Sequence, residues 1–253
     1  MRLSLLAAFA CAALVAVLPA SAITHGSLDN GAHPYVGLLF AGDATGGTWV
    51  CSGTLVSPTL FVTAGHCTYG AVFASVYLED APTASAPHVD GTAYTHPAFD
   101  PAVFWLHDVG VVVLDTPVAL GRYGALPAPH ALDGLRPGAH TTFTTVGYGA
   151  ERYFPDQSAA SRKDVADFTR RVAQPHLITI GNPSLGAQSL VLSGNASTGG
   201  TCFGDSGGPN LLGASNVIAA VTSYGKNPTC AGQSGVFRLD QPDVLGFVAT
   251  HLH

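Results

Sequence analysis

An all-β fold with a single helix at its C-terminal end is what this sequence predicts, on three observations. Short apolar, β-branched runs recur along the chain with turn-forming residues between them. Charged residues make up only 10% of the chain while glycine alone contributes 30 residues, a composition suited to short strands and tight turns. One helix-compatible stretch, Asp243 to His251, follows the breaker Pro242 at the far end.

The elements follow in order. Residues 1–22 read as a secretory signal: Arg2 gives a positive start, Leu5 to Leu18 is apolar, and Ala20-Ser21-Ala22 offers small residues for cleavage. The run is too short for a spanning helix, so no membrane association is expected after its removal. A lipid anchor on Cys11 fits poorly, because the apolar run continues past it. Strand candidates in the first half are Val36 to Phe40, Trp49 to Leu55, Leu60 to Val62, Val72 to Leu78 and Val109 to Leu114. In the second half they are Thr142 to Tyr148, Leu177 to Ile180, Leu190 to Leu192, Val217 to Ser223 and Gly235 to Arg238. A link rich in Pro, Gly and His over Ala125 to His140 divides the chain into 23–130 and 131–253. Glu151 to Arg171 carries much of the positive charge and breaks the strand pattern, which predicts an exposed loop with a short helix.

The formal net charge is −6, and a phosphate backbone calls for a basic face, so nucleic acid is excluded as a partner. With Cys11 in the export segment, four cysteines remain: Cys51, Cys67, Cys202 and Cys230. An even number in an exported chain points to disulfides, and spacing alone allows three pairings. The paired C-x-x-C spacing of a zinc site is absent. Eleven histidines invite a metal reading, yet their spacings, including the His96-Pro97-Ala98-Phe99 turn, suit no single site. No metal or cofactor is expected. Asn195-Ala196-Ser197 is a glycosylation sequon.

Three separated segments carry chemistry. They are Thr63-Ala64-Gly65-His66-Cys67, His107-Asp108-Val109-Gly110 with its Val-rich continuation, and Thr201-Cys202-Phe203-Gly204-Asp205-Ser206-Gly207-Gly208-Pro209. A serine hydroxyl becomes a useful nucleophile only when a neighbouring base takes its proton, and an imidazole oriented by a carboxylate is such a base. The order His, Asp, Ser separates this arrangement from esterases with a Gly-x-Ser-x-Gly elbow, in which His comes last. With these flanking residues, the chain from about Ile23 onward resembles the chymotrypsin/trypsin family of serine proteases. Gly65 stands where family members usually have Ala, and His107 takes a place often held by Asn.

The resemblance implies two six-stranded antiparallel barrels with the active site in the crevice between them. It implies Ser206 as nucleophile, His66 as general base and acid, and Asp108 as the group that orients the imidazole. The backbone N–H groups of Gly204 and Ser206 would form the oxyanion hole, and the disulfides would be Cys51–Cys67 and Cys202–Cys230. Asp205 would pair with a newly made α-amino group on Ile23 after cleavage behind Ala22, so that removal of the signal itself activates the enzyme. Gly200 would be the base of the specificity pocket, Gly225 and Gly235 its walls, and Ser223 and Tyr224 its peptide-binding edge, with Tyr224 where Trp is usual. An open pocket without a carboxylate favours a large apolar or aromatic residue before the cut. Calcium is unsupported, because Tyr69 to Asp80 holds only Glu79 and Asp80 as acids. The expected protein is a secreted, extracellular, monomeric endopeptidase acting on polypeptides. The competing reading is an inactive relative that binds a partner through the same surface, and it conflicts with the presence of all three triad residue types.

Overall fold

Two closed antiparallel barrels carry the chain, in a computed structural model that describes residues 23–150, 152–154, 163–165, 167–182, 186–226 and 230–252. The expected export segment, 1–22, lies outside the described residues. A short strand, β1 (Ser27–Leu28), comes first. The first barrel follows with β2 (Val36–Gly42), β3 (Thr48–Leu55), β4 (Leu60–Thr63), β5 (Phe73–Tyr77), β6 (Val89–Thr95) and β7 (Gly110–Leu114), closed in the order β2-β3-β4-β7-β6-β5. The sequence pattern misses β6. Its Asp90 and Gly91 weaken strand propensity, yet it pairs with β5 and β7 and alternates half-buried and exposed residues.

The second half contributes β8 (Gly138–Gly147), β9 (Arg152–Phe154), β10 (Lys163–Val165), β11 (Arg171–Ala173), β12 (His176–Asn182), β13 (Gly186–Gly194), β14 (Pro209–Leu212), β15 (Ile218–Gly225) and β16 (Gly232–Arg238). Strands β8, β12, β13, β16, β15 and β14 form the ring, which β14 closes by pairing with β8. Two α-helices stand among the described residues. One turn, α1 (Gly65–Thr68), follows β4, and α2 (Pro242–Ala249) ends the fold. Pro242 occupies the first turn of α2, where its missing N–H costs nothing, and Val244 and Val248 point one helical turn apart into the core.

Of the region expected as an exposed loop with a short helix, the residues described depart from that expectation. Strands β9 and β10 pair antiparallel as a hairpin. Arg170, at the end of that region, is 2% exposed. Its guanidinium pairs with Asp29 and Asp80 and donates to the carbonyls of Val36 and Leu78. A buried cation needs this full set of acceptors to offset its lost hydration.

The apolar core runs across the crevice between the barrels. One cluster fills the first barrel with Leu39, Leu60 and Phe61, then continues without a break into Val146, Tyr148, Leu211 and Phe237 of the second. A separate cluster, including Phe143, Leu177, Leu190 and Val236, fills the second barrel. Each fully buried Leu or Phe contributes about 1.5–3 kcal/mol, so the shared cluster fixes the two barrels against each other. Two disulfides, Cys51–Cys67 and Cys202–Cys230, brace loops on either side of the seam.

Candidate active site

The seam gathers the three chemical segments. Strand β4 ends at Thr63, and the single turn of α1 then presents His66. The Cys51–Cys67 bridge ties that turn to β3 and adds roughly 3 kcal/mol in the chain-entropy picture. Asp108 lies just ahead of β7 and is fully buried. The backbone N–H of His66 donates to Asp108 Oδ1 at 2.9 Å, and Nδ1 of the ring lies 2.9 Å from Oδ2 and 3.1 Å from Oδ1. Burial disfavours the charged ring. The carboxylate and its hydrogen bond outweigh that, and the pKa of His66 stands above its ordinary value. Ser223 Oγ donates to Asp108 Oδ2 at 2.5 Å.

Ser206 sits on a loop gripped from both barrels. Ser52 N, from β3, donates to the Ser206 carbonyl at 2.7 Å, and Ser52 Oγ donates to the Gly204 carbonyl at 2.9 Å. From the other side, Gly207 N donates to the Thr222 carbonyl at 2.7 Å. Gly207 has φ +78°, and a Cβ there would come within 2.0 Å of Thr63 Oγ1, so only glycine fits beneath the serine. The N–H groups of Gly204 and Ser206 have no intramolecular acceptor among the described residues. They are two donors left for another molecule. His66 and Ser206 line one cavity of about 580 Å³ without a direct hydrogen bond between them. Such a contact often tightens only when substrate is bound.

Asp205 is fully buried behind this loop. Its oxygens accept from Gly149 N and Cys202 N, each at 2.8 Å. Burial dominates those two bonds, and its pKa is pushed up to about 7. Ile23 is also fully buried, and Thr24 bridges to Gly200. In the uncut chain the nitrogen of Ile23 is an amide, so the expected ion pair with Asp205 is not formed.

The pocket residues divide. Ser223, Tyr224 and Gly225 line the cavity; Gly200 and Gly235 do not. The open space expected between the glycine walls holds the Tyr224 ring: its Cζ is 2.0 Å from where a Cβ on residue 235 would stand. The cause is a bulge. The register between β15 and β16 shifts between Thr222 and Tyr224, which turns Ser223 toward Asp108 and Tyr224 onto Gly235. Gly200 itself packs against Gly194. Sequence reasoning also missed two aromatic walls. Trp49 lines the cavity, and Phe104 meets the His66 ring edge-on with centroids 6.3 Å apart. No motif marks either; a cluster of apolar side chains in the loop before Asp108 was the only signal available.

Known proteins give the same picture. The family model described as Trypsin matches residues 24–239. Brachyurin from Leptuca pugilator is 33% identical over 217 residues, covering 81% of this chain and 87% of that protein. A trypsin from Saccharopolyspora erythraea is 28% identical over 211 residues, with the same shares covered. The solved structure of HL collagenase superposes with a TM-score of 0.69 at 21% identity, covering 86% of this chain and 94% of that one.

Proposed function

We propose a mechanism from one premise: this chain belongs to the trypsin family and is a serine endopeptidase. The observation that carries the mechanism is the double contact between His66 and a buried Asp108, facing the cavity that also holds Ser206. His66 takes the proton of Ser206 as its Oγ attacks the scissile carbonyl carbon. The carbonyl π electrons move to oxygen, and that oxyanion is met by the N–H groups of Gly204 and Ser206. Preorganised donors of this kind contribute roughly 3–4 kcal/mol each at the transition state. His66 then passes its proton to the leaving amine, and the acyl-enzyme remains. Water repeats the sequence with His66 as base, releasing the acid and restoring Ser206. Asp108 holds the ring in place and stabilises its charged form.

The wider reading is a secreted, monomeric enzyme acting outside the cell, with 23–130 and 131–253 as its two halves. Among the described residues no helix is long and apolar enough to cross a membrane. Activation follows from cleavage after Ala22, which frees the α-amino group of Ile23 to pair with Asp205.

Substrate choice favours a large apolar or aromatic residue before the cut. No carboxylate lines the cavity among the described residues, which removes the basis for an Arg or Lys preference. The space that the Tyr224 ring takes beside Gly235 is the size of an aromatic side chain. Tyr224 is half-buried, and an incoming aromatic group displaces it. The test is covalent labelling by an organophosphonate, followed by peptide cleavage. Labelling should fall on Ser206 and vanish in Ser206→Ala. Substrates with Phe or Leu should be cut faster than Ala, and Ala faster than Arg, with KM for Phe lower in Tyr224→Ala. A folded protein that takes no label would be the inactive, partner-binding relative. An Arg preference would overturn the pocket reading.

A further inference from the structure

Three metal-ligating side chains, far apart in sequence, converge behind Asp108. They are His96 after β6, His107 next to Asp108 itself, and Asp243 in the first turn of α2. Their ligand atoms all lie within 4.8 Å of one another. The His96 and His107 rings stack with centroids 5.1 Å apart and planes 12° apart. The spacing argument in the sequence missed this set because the fold, not the local chain, brings it together.

We propose that His96, His107 and Asp243 form a site for a borderline-soft divalent cation of the zinc type, and that its occupancy lowers turnover through Asp108. Two imidazoles and one carboxylate suit zinc and its transition-metal neighbours, and suit calcium or magnesium poorly. A tetrahedral zinc holds its ligands about 3.3–3.6 Å apart, so small side-chain rotations close the set around a fourth, water position.

An unpartnered nitrogen points to a ligand. Nδ1 of His107 lies 3.1 Å from Asp243 Oδ2, yet it is buried without a hydrogen-bond partner. At that distance only a misaligned approach fails to bond, so nitrogen and carboxylate are close without facing each other. His107 also holds φ +51°, a left-handed conformation that costs a non-glycine residue about 1 kcal/mol or more. Entry is open, since the Asp243 side chain is 46% exposed. Binding has an opposing term. Ala98 N donates to His96 Nδ1 at 3.2 Å, and recruiting the His96 ring loosens that turn.

The link to catalysis is covalent and short. Val109 N donates to the His107 carbonyl at 2.8 Å, which makes Asp108 the middle residue of a three-residue turn. His96 N donates to the Val109 carbonyl at 3.0 Å, so both histidines hold that turn. Drawing the two rings onto one cation tilts the turn and with it the Asp108 carboxylate.

Equilibrium dialysis of the purified protein against ZnCl2 tests the site, with turnover measured with and without zinc. One zinc per chain should bind, CaCl2 and MgCl2 should not compete, and turnover should fall several-fold. In His107→Asn and Asp243→Asn, which keep residue types that suit a left-handed turn and a helix start, zinc affinity should drop at least ~10-fold. The ratio of turnover with to without zinc should return to one in both. Zinc binding that survives both substitutions overturns the site. Binding that disappears while zinc inhibition persists places the inhibition at His66 instead and overturns the coupling.

Discussion

Asp108 and Asp205 are both sealed from solvent, but the walls around them supply different partners. Asp108 accepts from the backbone and ring of His66 and from Ser223 Oγ, so its environment is complete within the folded chain. Asp205 has two backbone N–H donors, and no cation meets it among the described residues. Glycines crowd it: a Cβ on Gly147 or Gly149 would come within 2.2 or 2.5 Å of its carboxylate group. The pocket is therefore shaped for a bare carboxylate but leaves it with a raised pKa. On the proposed mechanism the first acid is ready as soon as the chain folds, and the second waits for the charge that cleavage before Ile23 would supply.

The largest expected effect probes the finished side. Asp108→Asn keeps the shape, but the amide cannot stabilise the charged imidazole or select its tautomer. Turnover on a peptide substrate should fall by about 10⁴-fold, the scale of this change in Ser-His-Asp proteases. A nearly silent Asp108→Asn would mean that the contacts around it are structural and that the contrast with Asp205 has no catalytic content.

The second effect probes the waiting side. A chain keeping any residue before Ile23 should turn over about 10²–10³-fold more slowly, since Gly204 and Ser206, the proposed oxyanion donors, flank Asp205. Its stability should also depend on pH. In the folded, uncut chain Asp205 keeps its proton up to about pH 7, whereas its ordinary value is 3.8. Between these values the folded state holds a proton that the unfolded state has lost, so stability is full below the lower value and declines as pH rises through the upper one. At 1.36 kcal/mol per unit the loss amounts to a few kcal/mol. Melting curves of Ser206→Ala protein, with and without the extra residue, would measure it. The same pH slope in both would refute the ion pair.

How much was legible in advance follows the same division between local and distant causes. His66, Asp108 and Ser206 were readable because each lies in a run whose neighbours are constrained locally, such as Gly207 beneath the serine. The strands of both barrels were readable where apolar runs are dense, and β6 was missed where Asp90 and Gly91 interrupt one. Arg170 was misread as exposed because nothing adjacent to it signals Asp29 or Asp80, its partners across the fold. The position of the Tyr224 ring could not be read in advance, because a one-residue bulge decides which side of β15 it takes. Gathering His96, His107 and Asp243 required the whole topology.

The smallest effect separates the two acids most finely. Ser223→Ala removes one donor from Asp108 and leaves the two His66 contacts. A hydrogen bond to a charged group is worth about 1.5–3 kcal/mol, and the remaining donors recover part of it, so turnover should fall by roughly tenfold. The loss should appear in kcat, because Ser223, although it lines the cavity, has its hydroxyl bonded to the carboxylate. Asp205 has no third donor to lose among the described residues. Removing one of its two contacts, by any change that shifts Gly149 or Cys202, should disturb the loop around Ser206 itself and alter KM with kcat. A Ser223→Ala variant that changed KM alone would place Ser223 on the peptide-binding edge and deprive Asp108 of the redundancy that distinguishes it.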